Sequence, residues 1–199
     1  GVGPRDLAVL SSYSGNTEET LKFARGLGRR TSAVAVTSGG ALERLARSRR
    51  WPVVALPPGW PPRAALGFAL GVLGAILERC GSVPGATAGL RSGALKLRRL
   101  HLMGGKKGLG SRALALAGRL QGRVPVAVGV SGETAGTARR FACQLNENTK
   151  IPAFWAEVPE FGHNLISGFP RGVKTAVAPV FFLKRASGET RRLLAFVEQ

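Results

Sequence analysis

The chain has 199 residues, 44% of them hydrophobic and 20% charged, enough for one large or two small folded domains and too apolar for a disordered segment. Two cysteines, two histidines and a single aspartate, Asp6, rule out a disulfide framework, a clustered zinc site and an aspartate-built two-metal centre. Lys and Arg outnumber the acids 29 to 11, and the net charge of +18 favours anionic partners, either nucleic acid or small phosphorylated molecules.

Short apolar runs alternate with helical patterns from end to end. Leu7 to Leu10 reads as a strand that runs into the polar stretch 12–17, and a helix follows with Thr17 as N-cap and Glu18 and Glu19 in its first turn. Its apolar positions are Leu21, Phe23, Ala24 and Leu27, and Gly28 is the expected stop. A strand over Ala33 to Thr37 ends in Ser38-Gly39-Gly40, a basic helix spans Ala41 to Arg49, and a third strand spans Val53 to Leu56. A proline-rich loop, 57–62, then delivers the chain to Arg63 and a long apolar helix ending near Arg79. That apolar stretch, 64–77, holds three glycines and is shorter than the roughly 20 residues of a membrane span.

The small-residue segment Gly81 to Gly93, with Pro84, reads as a domain boundary. Beyond it lie a helical segment at 111–120, a strand at 124–130, a helix at 133–146 and a strand at 153–156. A short helix at 159–166, a strong strand at 175–183 and an amphipathic helix at 189–197 complete the chain. Strand–helix alternation of this kind predicts α/β architecture, with parallel sheets flanked by helices, in two modules over residues 1–82 and 83–199.

In open parallel sheets, ligands bind where strands turn into helices at their carboxyl ends. Ser12-Tyr13-Ser14-Gly15-Asn16-Thr17 occupies such a turn. The hydroxyls of Ser12, Ser14 and Thr17 and the unpaired N–H groups of the following helix are suited to a phosphate. An ordinary polar helix cap has the same ingredients, but five polar side chains crowded into one turn favour a bound anion.

This turn, continued by Glu18-Glu19-Thr20, resembles the phosphosugar-binding loop of sugar isomerase (SIS) domains. Pro62-Arg63-Ala64-Ala65-Leu66 resembles a second segment of one branch. Leu145-Asn146-Glu147-Asn148-Thr149-Lys150, followed by Pro159-Glu160 and His163-Asn164, resembles a third. Together, in order over most of residues 6–183, they are similar to the bifunctional phosphoglucose/phosphomannose isomerases of archaea and some bacteria. The resemblance implies two SIS-type modules, each an αβα sandwich.

An aldose–ketose isomerisation needs a base that carries a proton between adjacent carbons, an acid/base that opens the sugar ring, and a cation beside the developing enediolate. Glutamate, histidine and arginine meet these needs with no metal or cofactor. The resemblance implies Glu147 as the proton-shuttling base, His163 as the ring-opening residue, Arg63 as the enediolate's cation, and Ser12, Ser14 and Thr17 as the phosphate ligands. Glu147 ends a helical pattern and His163 lies across a strand from it, a spacing that can turn both toward one cleft. The resemblance also implies that the histidine comes from a partner subunit, hence a homodimer with shared sites acting on a phosphorylated hexose. It further implies a strand–helix unit before Asp6 and a terminal helix beyond Gln199; with Met103 as the only methionine, the sequence is read as a candidate fragment.

Two alternatives stand beside the isomerase. One is a non-catalytic sugar-phosphate-binding module of a regulator. The other is charge-driven nucleic-acid binding, which is poorly supplied: Tyr13 is the only tyrosine, the basic residues are spread along the chain, and no recognition motif is present. Gly104 to Ser111 lacks the spacing of a nucleotide-binding P-loop and reads as a solvated basic loop; His101 reads as a surface or packing residue. Two free cysteines and no signal peptide or membrane span place the expected protein in a reducing cytoplasm, away from membranes.

Overall fold

Ala8, Leu10, Ala33 and Ala35 alternate along two neighbouring strands, and each is nearly inaccessible to solvent. The computed structural model describes residues 2–3, 5–103, 108–169, 176–183 and 188, and the chain forms two units, Gly1–Arg99 and Leu100–Gln199. In the first, β1 (Leu7–Ser11), β2 (Ser32–Thr37) and β3 (Val53–Ala55) form a parallel sheet in that order. Helices α1 (Glu18–Gly26) and α2 (Gly40–Ser48) make the two crossovers. Right-handed connections between strands laid down in one direction put both helices on the same face. Leu21, Ala24, Leu42 and Ala46 accordingly pack with the four alanine and leucine positions of β1 and β2 in one core.

After β3 the chain passes through a 3-10 turn, Pro62–Ala64, into α3 (Leu66–Arg79). Of the stretch expected to separate two domains, 81–85 forms the turn between α3 and the next helix, and 86–93 is helical. Helix α4 (Ala86–Leu102) begins only a few residues after α3, and Leu90 reaches to within 2.4 Å of where a Cβ on Gly74 would stand. Glu78 holds the corner by accepting hydrogen bonds from the N–H groups of Gly85 and Thr87 and from the Thr87 hydroxyl. These bonds, that of the Thr87 hydroxyl first, hold its carboxyl below the usual glutamate range. The division between units therefore falls at Arg99 and Leu100, within the last turn of α4.

The second unit contains α5 (Leu109–Leu120), β4 (Val124–Val130), α6 (Ala135–Thr149), β5 (Phe154–Val158), α7 (Glu160–His163), a 3-10 turn at Leu165–Gly168 and β6 (Val177–Phe182). Its sheet is parallel with β4 at the centre, β5 on one side and β6 on the other. Alternation along β4 divides the packing. Ala127 faces α6 through Ala138 and Ala142, while Val126 and Val128 face Phe161 of α7. Phe161 is 2% exposed and meets Phe181 edge-on at 5.8 Å, a burial that contributes about 2–3 kcal/mol. The expected helix at 189–197 lies outside the described residues, as do residues 104–107 of the basic loop and Thr175 at the start of the last strand.

Helix α6 approaches β4 as closely as backbone allows. A Cβ on Gly129 would stand 2.6 Å from Ala135 Cα and 2.6 Å from the Thr134 carbonyl oxygen, both of them backbone atoms. Gly129→Ala is expected to destabilise the protein by about 1–3 kcal/mol, read as a lower midpoint in urea unfolding with an unchanged slope.

Candidate functional site

The candidate phosphate cradle lies at the carboxyl end of β1, as its sequence requires. It is built by two turns that lock into each other. Gly15 adopts φ +68°, and a Cβ there would fall 1.8 Å from the Gly39 carbonyl oxygen, in the turn that follows β2. Gly40, at φ +79°, admits Ser14 in the same way: its Cβ would lie 2.3 Å from the Ser14 carbonyl oxygen. Only glycine serves at both points. Hydrogen bonds then tie the turns together: Ser38 N–H donates to Tyr13 O at 2.9 Å, Leu42 N–H to Gly15 O at 2.8 Å, and Ala41 N–H to the Asn16 side-chain oxygen at 3.0 Å.

Within the cradle the hydroxyls form a chain. The Gly15 N–H donates to Ser12 Oγ at 3.1 Å, and Ser12 Oγ lies 2.8 Å from Thr17 Oγ1. Ser12 is buried and Thr17 exposed. With Ser12 as donor in that pair, the Thr17 proton is left for an anion outside. Ser14 Oγ accepts from Asn16 N–H at 3.2 Å and keeps its own proton to give. Thr17 occupies the N-cap of α1 but makes no side-chain cap bond, because its hydroxyl is turned to Ser12. The first-turn N–H groups of α1 thus remain available to a bound phosphate, where the helix dipole also favours negative charge.

Tyr13, between the cradle serines, reaches the loop after β3. Its hydroxyl donates to Pro57 O at 2.7 Å and accepts from Trp60 N–H at 2.9 Å. Trp60 packs edge-on against Phe68 of α3 at 5.9 Å. The exposed Arg63 is the second residue of the 3-10 turn, three residues after Trp60, at the same carboxyl end of the sheet. The clamp joins residues 44 and 47 positions apart, and nothing local in the sequence signals it.

Glu147 and His163 are both exposed and both belong to the second unit. Glu147 sits in the last turn of α6, beside the start of β5: its neighbour Asn146 exchanges two hydrogen bonds with the backbone of Ala153. His163 ends α7, which follows the other end of β5. Helix α6 covers the Ala127 face of the sheet, whereas α7 covers the Val126 and Val128 face. Within one copy of the unit the two residues therefore stand on helices that cover opposite faces of the sheet. Among the described residues no group of three or more His, Cys, Asp or Glu side chains is placed to hold a metal ion. Also among them, no helix is long and apolar enough to cross a membrane.

Residues 110–199 match the family described as bacterial phospho-glucose isomerase C-terminal SIS domain. The chain is 32% identical over 173 residues to a bifunctional phosphoglucose/phosphomannose isomerase of Caldicellulosiruptor bescii, covering 84% of this chain and 50% of that protein. It is also 32% identical over 172 residues to a D-glucosamine-6-phosphate 4-epimerase of Sulfolobus acidocaldarius, covering 83% and 51%. Among solved structures it is similar in fold to the C-terminal domain of glucosamine-fructose-6-phosphate aminotransferase of Francisella tularensis, with a TM-score of 0.68 at 16% identity over 96% of this chain and 55% of that one. The chain thus spans about half the length of the curated relatives it matches.

Loss of the tyrosine hydroxyl tests the clamp. In Tyr13→Phe, amide exchange at Trp60 is expected to accelerate by the equivalent of about 1 kcal/mol, measured by hydrogen–deuterium exchange, with the core amides of β2 unchanged.

Proposed function

The chain is related over most of its length to the bifunctional phosphoglucose/phosphomannose isomerase family, and on that footing we propose that it takes part in the aldose–ketose isomerisation of a phosphorylated hexose. The substrate is glucose 6-phosphate or mannose 6-phosphate, interconverted with fructose 6-phosphate. The observation that carries this reading is the cradle: a strand-to-helix turn with two outward hydroxyls and uncapped helix N–H groups, held rigid by interlocked glycines.

In this reading each unit is an SIS-type module. Ser12, Ser14 and Thr17 hold the phosphate, Ser12 acting through Thr17. Glu147 takes a proton from one carbon of the open-chain sugar and returns it to the adjacent one. Arg63 stabilises the enediolate formed between those steps, and His163 moves the proton that opens the ring. No cofactor takes part. Because α6 and α7 lie on opposite faces of one sheet, the reading assigns Glu147 and His163 of each site to different copies of the chain, in a homodimer.

A second reading is supported by the cradle's being complete within the first unit while the acid and base are exposed on the second. In it the chain is a sugar-phosphate-binding module without turnover. Calorimetry showing fructose 6-phosphate binding, together with no product in a coupled assay, would favour this reading.

Two outcomes test the leading proposal. Thr17→Val, which keeps the shape and removes the hydroxyl, is expected to weaken fructose 6-phosphate binding by about 10- to 100-fold in calorimetry; an unchanged Kd would exclude the cradle as the phosphate site. Glu147→Gln and His163→Ala should each lower turnover by about 100-fold or more, while an equal mixture recovers about a quarter of wild-type activity. That recovery arises because half of the mixed dimers pair unlike chains and each such dimer holds one intact site. Normal turnover in Glu147→Gln removes that residue from the mechanism, and failure to recover on mixing removes the shared site.

A further inference from the structure

At the other end of the first sheet lies a second concavity, where the chain enters its strands. The turns before β2 and β3 and the end of α3 enclose a cleft of about 600 Å³, within the range of small-molecule sites. Arg29, Arg30, Arg49, Arg50 and Arg79 line it. No acid is among the lining residues, and among the described residues none of these five guanidinium groups is ion-paired. The floor is apolar, formed by Val34, Trp51 and Ile76 with their neighbours. Arg49 is held in place: its guanidinium lies 5.6 Å above the Trp51 ring and donates to Leu27 O at 3.3 Å.

Arg50 supplies an independent observation. It follows α2 with φ +59°, the left-handed position that ends a helix and that glycine ordinarily occupies. Trp51 N–H bonds to Ala46 O at 2.8 Å and Arg50 N–H to Arg47 O at 3.1 Å, which fixes that conformation. A cation therefore stands where the backbone would be more relaxed with no side chain. Like charges gathered without counter-charges repel one another, and a bound polyanion removes that repulsion.

We propose that this cleft binds a compact organic anion carrying two or more phosphates, of the nucleoside di- or triphosphate class. Five guanidinium groups exceed what one phosphate can engage, and each can grip phosphate oxygens in pairs. The apolar floor suits a planar base, and the lining turns of a single unit form a site of nucleotide size rather than a groove that tracks a polymer. The site is distinct from the phosphate cradle. Strands β1 and β2, at about 3.3 Å per residue, separate the two by roughly 16–20 Å. The proposal is independent of the isomerase reading.

The test uses the whole chain at physiological salt, with ATP and ADP as probes. Calorimetry is expected to give a Kd of about 10–100 µM, undisturbed by saturating fructose 6-phosphate. Cys80, exposed at the cleft, should be alkylated by N-ethylmaleimide more slowly when ATP is bound, while Cys143 of the second unit is unaffected. Arg50→Gly should weaken ATP binding by about tenfold without lowering the melting temperature, since glycine suits that backbone. The double variant Arg29→Ala, Arg30→Ala should do the same from the opposite wall. The proposal is overturned by no binding of either nucleotide at about 1 mM, by unchanged affinity in both variants, or by displacement with fructose 6-phosphate, which would put the nucleotide in the cradle. Tighter binding of a single-stranded oligonucleotide than of ATP would overturn it in favour of a nucleic-acid surface.

Discussion

The contact on which the first unit's chemistry depends is the seating of one turn against another with no side chain between them. Gly15 and the Gly39–Gly40 pair bring the turns after β1 and β2 within backbone contact. Everything the cradle offers follows from that approach. Asn16 is spent bracing α2, Ser12 is pressed inward, and Thr17 is released from capping α1 to stand at the surface. A looser seat would let Thr17 fold back onto its own helix and close the N–H groups that an anion needs.

The second unit shows what the same topological position looks like without that arrangement. Its turn after β4 is Ser131-Gly132-Glu133-Thr134. The Thr134 hydroxyl accepts from Val130 N–H at 2.8 Å and donates to Phe182 O at 2.5 Å, so its proton is already committed to the neighbouring strand. Glu133 adds a negative charge just before the helix, which opposes an anion there. The two units share a strand-to-helix plan, but among the described residues the turn after β4 has its threonine proton committed where the turn after β1 does not.

Much of the architecture was legible because parallel α/β units write their period into the chain. Strands β1, β2, β4 and β5 and helices α1, α2, α5 and α6 lie within a few residues of where hydrophobic spacing puts them. Helix α4 was not legible. Pro84, Gly85, Gly89 and Gly93 give its region the composition of a linker, and no residue of the helix is buried. Its start is instead organised by the Glu78 carboxylate and its packing by Leu90 against Gly74, contacts between residues 7 to 16 positions apart that spacing does not encode. The cradle followed the opposite rule. Its hydroxyls are contiguous and could be read directly, whereas the Tyr13 clamp and the arginine cleft join separate crossover turns and emerge only once the strands are side by side.

The placement of Glu147 and His163 is also a consequence of topology. A helix that returns the chain between two parallel strands must run antiparallel to them, so the carboxyl end of α6 lies near the amino end of β5. The segment after β5 must begin at the opposite end, and here Phe161 carries it to the other face by burying its ring against Val126 and Val128. Fifteen intervening residues thus include one strand traversal and one change of face. Glu147 on the last turn of α6 and His163 on the next short helix therefore stand on elements that cover opposite faces of one sheet. In the proposed isomerase, this placement is what assigns the two residues of one site to different copies of the chain.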